Sequence, residues 1–149
     1  MNKKLEDALV AVDFVNRLQE INNNHSKEDI DDYFRRPNTE IVCSIIESLG
    51  YNVKCYQNGK FYKITDKVKN KYNTFLQPVE VEIGGVNMQF YATIDNNLEG
   101  GQFRHLLREL GYEIGGNLPG FSDYEELKVL LQKHFEIYED LKKELLKEV

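Results

Sequence analysis

Two runs of alternating apolar and polar residues meet at Asn58-Gly59. Asn-Gly is the pair best suited to a two-residue hairpin turn, because both central residues of that turn take positive φ. Such a turn fixes a register. Gln57 faces Lys60, Tyr56 faces Phe61, Cys55 faces Tyr62, Lys54 faces Lys63 and Val53 faces Ile64. Pleating then sends Val53, Cys55, Tyr62 and Ile64 to one face, the expected core side. Lys54, Tyr56, Phe61 and Lys63 fall on the other, outward side. A second hairpin is expected to open at Pro78. Val79, Val81 and Ile83 alternate with Glu80 and Glu82, Gly84-Gly85 offers the turn, and Val86, Met88, Phe90, Ala92 and Ile94 alternate on the return. This register sets Val81 opposite Met88 and Val79 opposite Phe90, with one apolar face and one acidic or amide face.

Helical periodicity brackets the hairpins. Residues 3–22 read as one helix with Leu5, Ala8, Leu9, Val12, Val15, Phe14, Leu18 and Ile21 on its stripe, ended by Asn22-Asn23-Asn24. Ser26 caps a short helix running to about Phe34, and Pro37 stops it. Asn38-Thr39 caps a helix over 40–49 with Ile41, Val42, Ile45, Ile46 and Leu49 inward, and Gly50 follows as a left-handed stop. The spacing predicts a loop over Asp95–Gly101, a helix over 101–110 and a short strand over Tyr112–Ile114. Ser122 and Glu125 read as a capping box. The last helix, 123 to about 147, carries a seam of Leu127, Leu131, His134, Tyr138, Leu141 and Leu145. The expected class is α+β: one domain over 1–149, with N- and C-terminal helices packed on antiparallel β-hairpins.

Charge and cysteine content narrow the function. Lys plus Arg is 19 against 25 Asp plus Glu, a net charge of −6, which disfavours wholesale coating of nucleic acid. No apolar run has the length of a membrane span, so no membrane partner is expected. The N-terminus places Glu6 and Asp7 where a signal peptide needs apolar residues, so a cytoplasmic location is expected. Cys43 and Cys55 lack partners at metal-ligand spacing and read as two buried free thiols. Lysine and asparagine bias suggests a bacterial or phage origin.

No residue pattern marks a catalytic, metal or cofactor site, and none is expected. His134 lies on the apolar seam and reads as a packed core histidine. His25 lies in a polar stretch and reads as solvated. His105 follows Gly100-Gly101, where a glycine-led helix start could hold an anion. Glu80 and Glu82 share a strand face, and Asp123, Glu125 and Glu126 cluster at the start of the last helix. Residues 35–72 hold eight basic residues against Glu40, Glu47 and Asp66, so charge is segregated along the chain.

The segment from Ser26 to Thr65 resembles a winged helix-turn-helix in element order: short helix, turn at Arg35-Arg36-Pro37-Asn38, second helix, hairpin. The resemblance implies a winged-helix-like half, 1–72, followed by a hairpin-and-helix half, 73–149. It implies nucleic-acid binding through the basic 54–71 surface. The exposed positions of the would-be recognition helix, however, are Glu40, Ser44, Glu47 and Ser48, which suit neither base edges nor phosphates. The expected function is therefore a non-catalytic protein-binding module. Its profile is that of a small acidic inhibitor, such as a toxin immunity or phage anti-defence protein, whose partner bears a basic surface. Expected contact residues are Lys54, Tyr56, Phe61, Lys63, Glu80, Glu82, Asp123, Glu125 and Glu126. No oligomeric state follows from the pattern.

Overall fold

The computed structural model describes residues 1–26, 34, 37–55, 61–66, 75–82, 85–113 and 118–147; at 55, 61, 65, 66, 75–78, 80 and 82 it describes the backbone alone. In chain order the elements are α1 (Lys3–Ala11), α2 (Phe14–His25), α3 (Thr39–Ser48), β1 (Val53–Cys55), β2 (Phe61–Asp66), β3 (Phe75–Glu82), β4 (Gly85–Ile94), β5 (Asn97–Gln102), α4 (Phe103–Glu109) and α5 (Tyr124–Leu146). The class is α+β, with helices at both ends of the chain. The expected short helix after Ser26 lies outside the described residues.

The strands form one antiparallel sheet in the order β1-β2-β3-β4-β5. The first hairpin has the register that Asn58-Gly59 demands, with Val53 opposite Ile64, Lys54 opposite Lys63 and Cys55 opposite Tyr62. It is not a free wing, because β2 also pairs with β3. That pairing is the architectural departure from a winged helix. The second hairpin is displaced by two residues from expectation: Val79 faces Met88 and Val81 faces Val86, with Glu82 opposite Gly85. A two-residue slip preserves side-chain parity, so the apolar face survives intact. Gly85 is used for close approach. A Cβ there would lie 3.1 Å from Leu118 Cβ, where the chain around Pro119 and Gly120 crosses the start of β4. Pro78 lies inside β3 rather than at its head, and the β3–β4 partner pairs skip Gln77 and Pro78. Proline has no N–H to give to a ladder.

Alternation in β4 buries Val86, Met88, Phe90, Ala92 and Ile94 and leaves Asn87, Gln89, Tyr91 and Thr93 half-buried. The helices cover the apolar face. All six seam residues of α5 are buried, and α5 packs on α1, α2, α3 and β4. Each fully buried Leu or Phe side chain contributes roughly 1.5–3 kcal/mol.

Further expectations are corrected. The N-terminal helix is two helices. Asp13 takes a left-handed conformation, φ 58° and ψ 43°, and its carboxylate accepts from Asn16 Nδ2 at 2.9 Å. The break turns α2 so that Phe14 is buried and meets Phe103 edge-on, ring centroids 5.2 Å apart. Asn22 does not end α2, because its Nδ2 donates to Leu18 O at 3.1 Å and the helix runs on to His25. Asp95–Gly101 is not a loop. Asp95 and Asn96 both have positive φ and close a two-residue turn into β5. The N-cap of α5 sits one residue later than expected: it is Asp123, whose side chain accepts from Glu126 N at 2.7 Å, while the Glu126 carboxylate accepts from Ser122 N instead of closing a box on Asp123.

On α3, Asn38 caps as expected, accepting from Ile41 N at 3.2 Å. Ile41 itself is 42% exposed and Cys43 is buried in its stead. Cys43 is disulfide-bonded, which corrects the free-thiol expectation; the chain has one other cysteine, Cys55. Gly50 and Gly111 both end helices with φ near +90°, at 97° and 92°. Tyr112 and Glu113 are exposed and form no strand; Ile114 lies outside the described residues.

Candidate functional site

The expected contact residues divide between two places. Lys54 is exposed and Lys63 half-buried, directly opposite each other on the sheet face away from the helices. Backbone pairing sets Glu80 between Phe61 and Asn87, one pleat step from Lys63. The basic and acidic candidates thus occupy neighbouring rows of one sheet, not two separate hairpins. Tyr56 lies outside the described residues. Strand β4 adds Asn87, Gln89, Tyr91 and Thr93 to this face, and Tyr91 OH donates to Gln89 Oε1 at 3.1 Å. Their polar alternation with Met88, Phe90 and Ala92 was the signal for them in the sequence.

The second place is the start of α5. Here Asp123 and Glu126 are committed to internal bonds. Glu126 Oε1 accepts from Ser122 N at 2.8 Å and from Ser122 Oγ at 3.1 Å. Glu126 Oε2 lies 3.0 Å from His25 Nδ1, and His25 Nε2 lies 3.2 Å from Lys133 Nζ. An ammonium can only donate, so Nε2 is the acceptor and the ring proton sits on Nδ1, donated to Glu126. His25 is 6% exposed, and its carbonyl accepts from Gly120 N at 2.9 Å. The expectation of a solvated His25 is therefore wrong: it joins the end of α2, the 118–122 segment and the first turns of α5. Of the three carboxylates expected to meet a partner, Glu125 alone is exposed and outside these bonds.

The other histidines carry no site. His134 is 1% exposed. Its Nδ1–H donates to Leu130 O at 2.7 Å and its ring stacks on Phe103. Burial lowers its pKa to about 4, so it is neutral at physiological pH. His105 pairs at the surface with Glu109, 3.0 Å away. The glycines before it serve the sheet. A Cβ on Gly100 would lie 2.0 Å from Phe90 O, and Gly101 pairs with Phe90 in the ladder.

Sequence reading missed a groove on the outer side of the helical layer. Its first hollow, about 200 Å³, lies between α2 and α5 and is lined by Arg17, Glu20, Ile21, Lys133, Glu136 and Ile137. A second, about 390 Å³, shares Arg17 and Glu136 and extends past Leu49, Tyr51, Phe135, Glu139 and Asp140. Tyr51 stacks on Phe135 with ring centroids 4.3 Å apart, and its OH donates to Glu139 Oε1 at 2.7 Å. Arg17 Nη1 donates to Asp140 Oδ2 at 2.9 Å and to Val12 O at 3.2 Å. The signal for the groove was faint. Glu20 and Glu136 sit beside the apolar stripes of two helices whose pairing no local pattern reveals.

Among the described residues no group of His, Cys, Asp and Glu could hold a metal ion, and no helix is long and apolar enough to cross a membrane. Compared with protein-family models, curated proteins and solved structures, the chain matches none.

Proposed function

We propose that this chain is a non-catalytic protein-binding domain, an acidic inhibitor of toxin-immunity or phage anti-defence type, that meets a partner through the partner's basic surface. The supporting observation is the groove across α2 and α5. It combines an apolar floor with the carboxylates of Glu20, Glu136, Glu139 and Asp140 against the cations of Arg17, Lys133 and Lys143. Asp140 is paired with Arg17, and Glu20 and Glu136 make no ion pair among the described residues. Concavity with apolar floor and charged rim is what a recognition surface requires. The net charge of −6 adds long-range attraction for a basic partner, which raises association rates more than affinity. Location is part of the proposal. The expected cytoplasm is reducing, and the disulfide at Cys43 favours an oxidising compartment.

The test is capture of a partner by the tagged chain from host extract, followed by stopped-flow binding of the two purified proteins across a salt series. A basic partner whose association slows steeply with salt is expected. An acidic or neutral partner, or an association rate indifferent to salt, overturns the reading.

A second reading, nucleic-acid binding through the outer sheet face, draws on the direct opposition of Lys54 and Lys63 and on the half-exposed Tyr91 ring in the same sheet. Lysines beside an aromatic platform are the elements of single-strand binding.

A further inference from the structure

We infer that the hollow between α2 and α5 receives one lysine or arginine side chain projected by the partner protein, a refinement that rests on the protein-binding reading above. Its lining carries two cations and two carboxylates, so formal charge alone selects nothing. The bonds select. Arg17 is committed to Asp140 and to the Val12 carbonyl. Lys133 is committed to His25 Nε2. Glu20 and Glu136 are exposed and make no ion pair or side-chain hydrogen bond among the described residues. Asp140 matches the charge of Arg17, whereas Lys133 donates to a neutral ring and keeps its charge, so the two unpaired carboxylates leave the hollow net negative by one.

The apolar lining completes the match. Ile21 is 4% and Ile137 1% exposed, and they lie between the carboxylates and the core. A long aliphatic stem ending in a cation can lay its methylenes on such residues while its head meets carboxylates at the rim. An anion placed there would lie against two carboxylates that have no cation of their own, whereas Arg17 already has Asp140. The hollow, at about 200 Å³, suits one side chain rather than a helix. The adjoining hollow past Leu49, Tyr51 and Phe135 leaves room for the segment that bears it.

The test uses the full ¹⁵N-labelled chain, titrated with N-acetyl-arginine methylamide and N-acetyl-lysine methylamide, with the glutamate analogue as control. The cationic probes should shift the amides of Glu20, Ile21, Glu136 and Ile137, and the control should not. The shifts should vanish in Glu20→Gln/Glu136→Gln, and each single variant should weaken them if the double variant folds poorly. The captured partner should bind the double variant about tenfold more weakly, as expected for two rim ion pairs. Shifts scattered over the surface, or partner affinity unchanged in the double variant, overturn the inference; in the latter case protein binding itself stands. A chain that captures no protein yet still takes the cationic probes in this hollow sinks the functional reading and upholds the chemistry of the site.

Discussion

His134 occupies a seam position on α5 where leucine would pack without complication. Burial costs its charged form heavily, and the Nδ1–H bond to Leu130 O satisfies only one ring nitrogen. Its pKa falls from 6.5 to about 4. The unfolded chain therefore binds a proton that the folded chain refuses between those two values. The stability associated with neutral His134 is complete above pH 6.5 and is lost progressively as pH falls toward 4, by about 3 kcal/mol. Urea unfolding from pH 7 to pH 4 should show this slope, and His134→Leu should flatten it. An equal slope in both proteins would assign acid sensitivity elsewhere. His134 was legible because its environment is set by the periodicity of its own helix. His25 was not legible. Its partners, Glu126 and Lys133, lie 101 and 108 residues away, and the Asn22–Asn24 run before it has the look of a solvated loop.

At the scale of elements, legibility followed how local the deciding physics is. Asn58-Gly59 set the first hairpin correctly because turn chemistry fixes register within a few residues. Gly84-Gly85 misled because Gly85 serves a close approach by Leu118, a constraint from the other end of the chain. Parity still put Val79 and Val81 in the core. Strand β5 was missed because Gly100 and Gly101 read as loop residues, although they lie in the ladder opposite Tyr91 and Phe90. The groove was invisible for the same reason as the β2–β3 pairing: both join elements far apart in sequence. Cys43 marks the limit of composition as a guide. Two cysteines in a chain of this size read as thiols, yet the α3 cysteine is bonded. Cys43→Ser should lower unfolding stability by about 2–4 kcal/mol, the range for loss of a native disulfide, and dithiothreitol should have the same effect on the urea midpoint of the unaltered chain. Alkylation of Cys43 in the native protein without reductant would refute the bond.

For the molecule as a whole, charge decides between the two functional readings. Eight basic residues fall within 35–72; the two on described strands, Lys54 and Lys63, belong to a sheet that continues into β3, whose register sets Glu80 opposite Phe61. The helical layer on the other side adds the carboxylates of α2 and α5. A duplex approaching Lys54 and Lys63 therefore meets a protein of net charge −6, and the recognition helix that a winged-helix reading requires exposes Glu40, Ser44, Glu47 and Ser48. About five phosphate contacts would give a log–log salt slope near −4.5, an attraction that weakens quickly toward physiological salt while the repulsion from the rest of the chain remains. Fluorescence anisotropy at micromolar protein in ~150 mM salt should accordingly show no binding to random duplex or single strands, nor to selected genomic fragments. A salt-steep, sub-micromolar signal abolished by Lys54→Glu/Lys63→Glu would reverse the choice. It would make the outer sheet face the working surface of the protein and leave the α2–α5 groove without a role in binding.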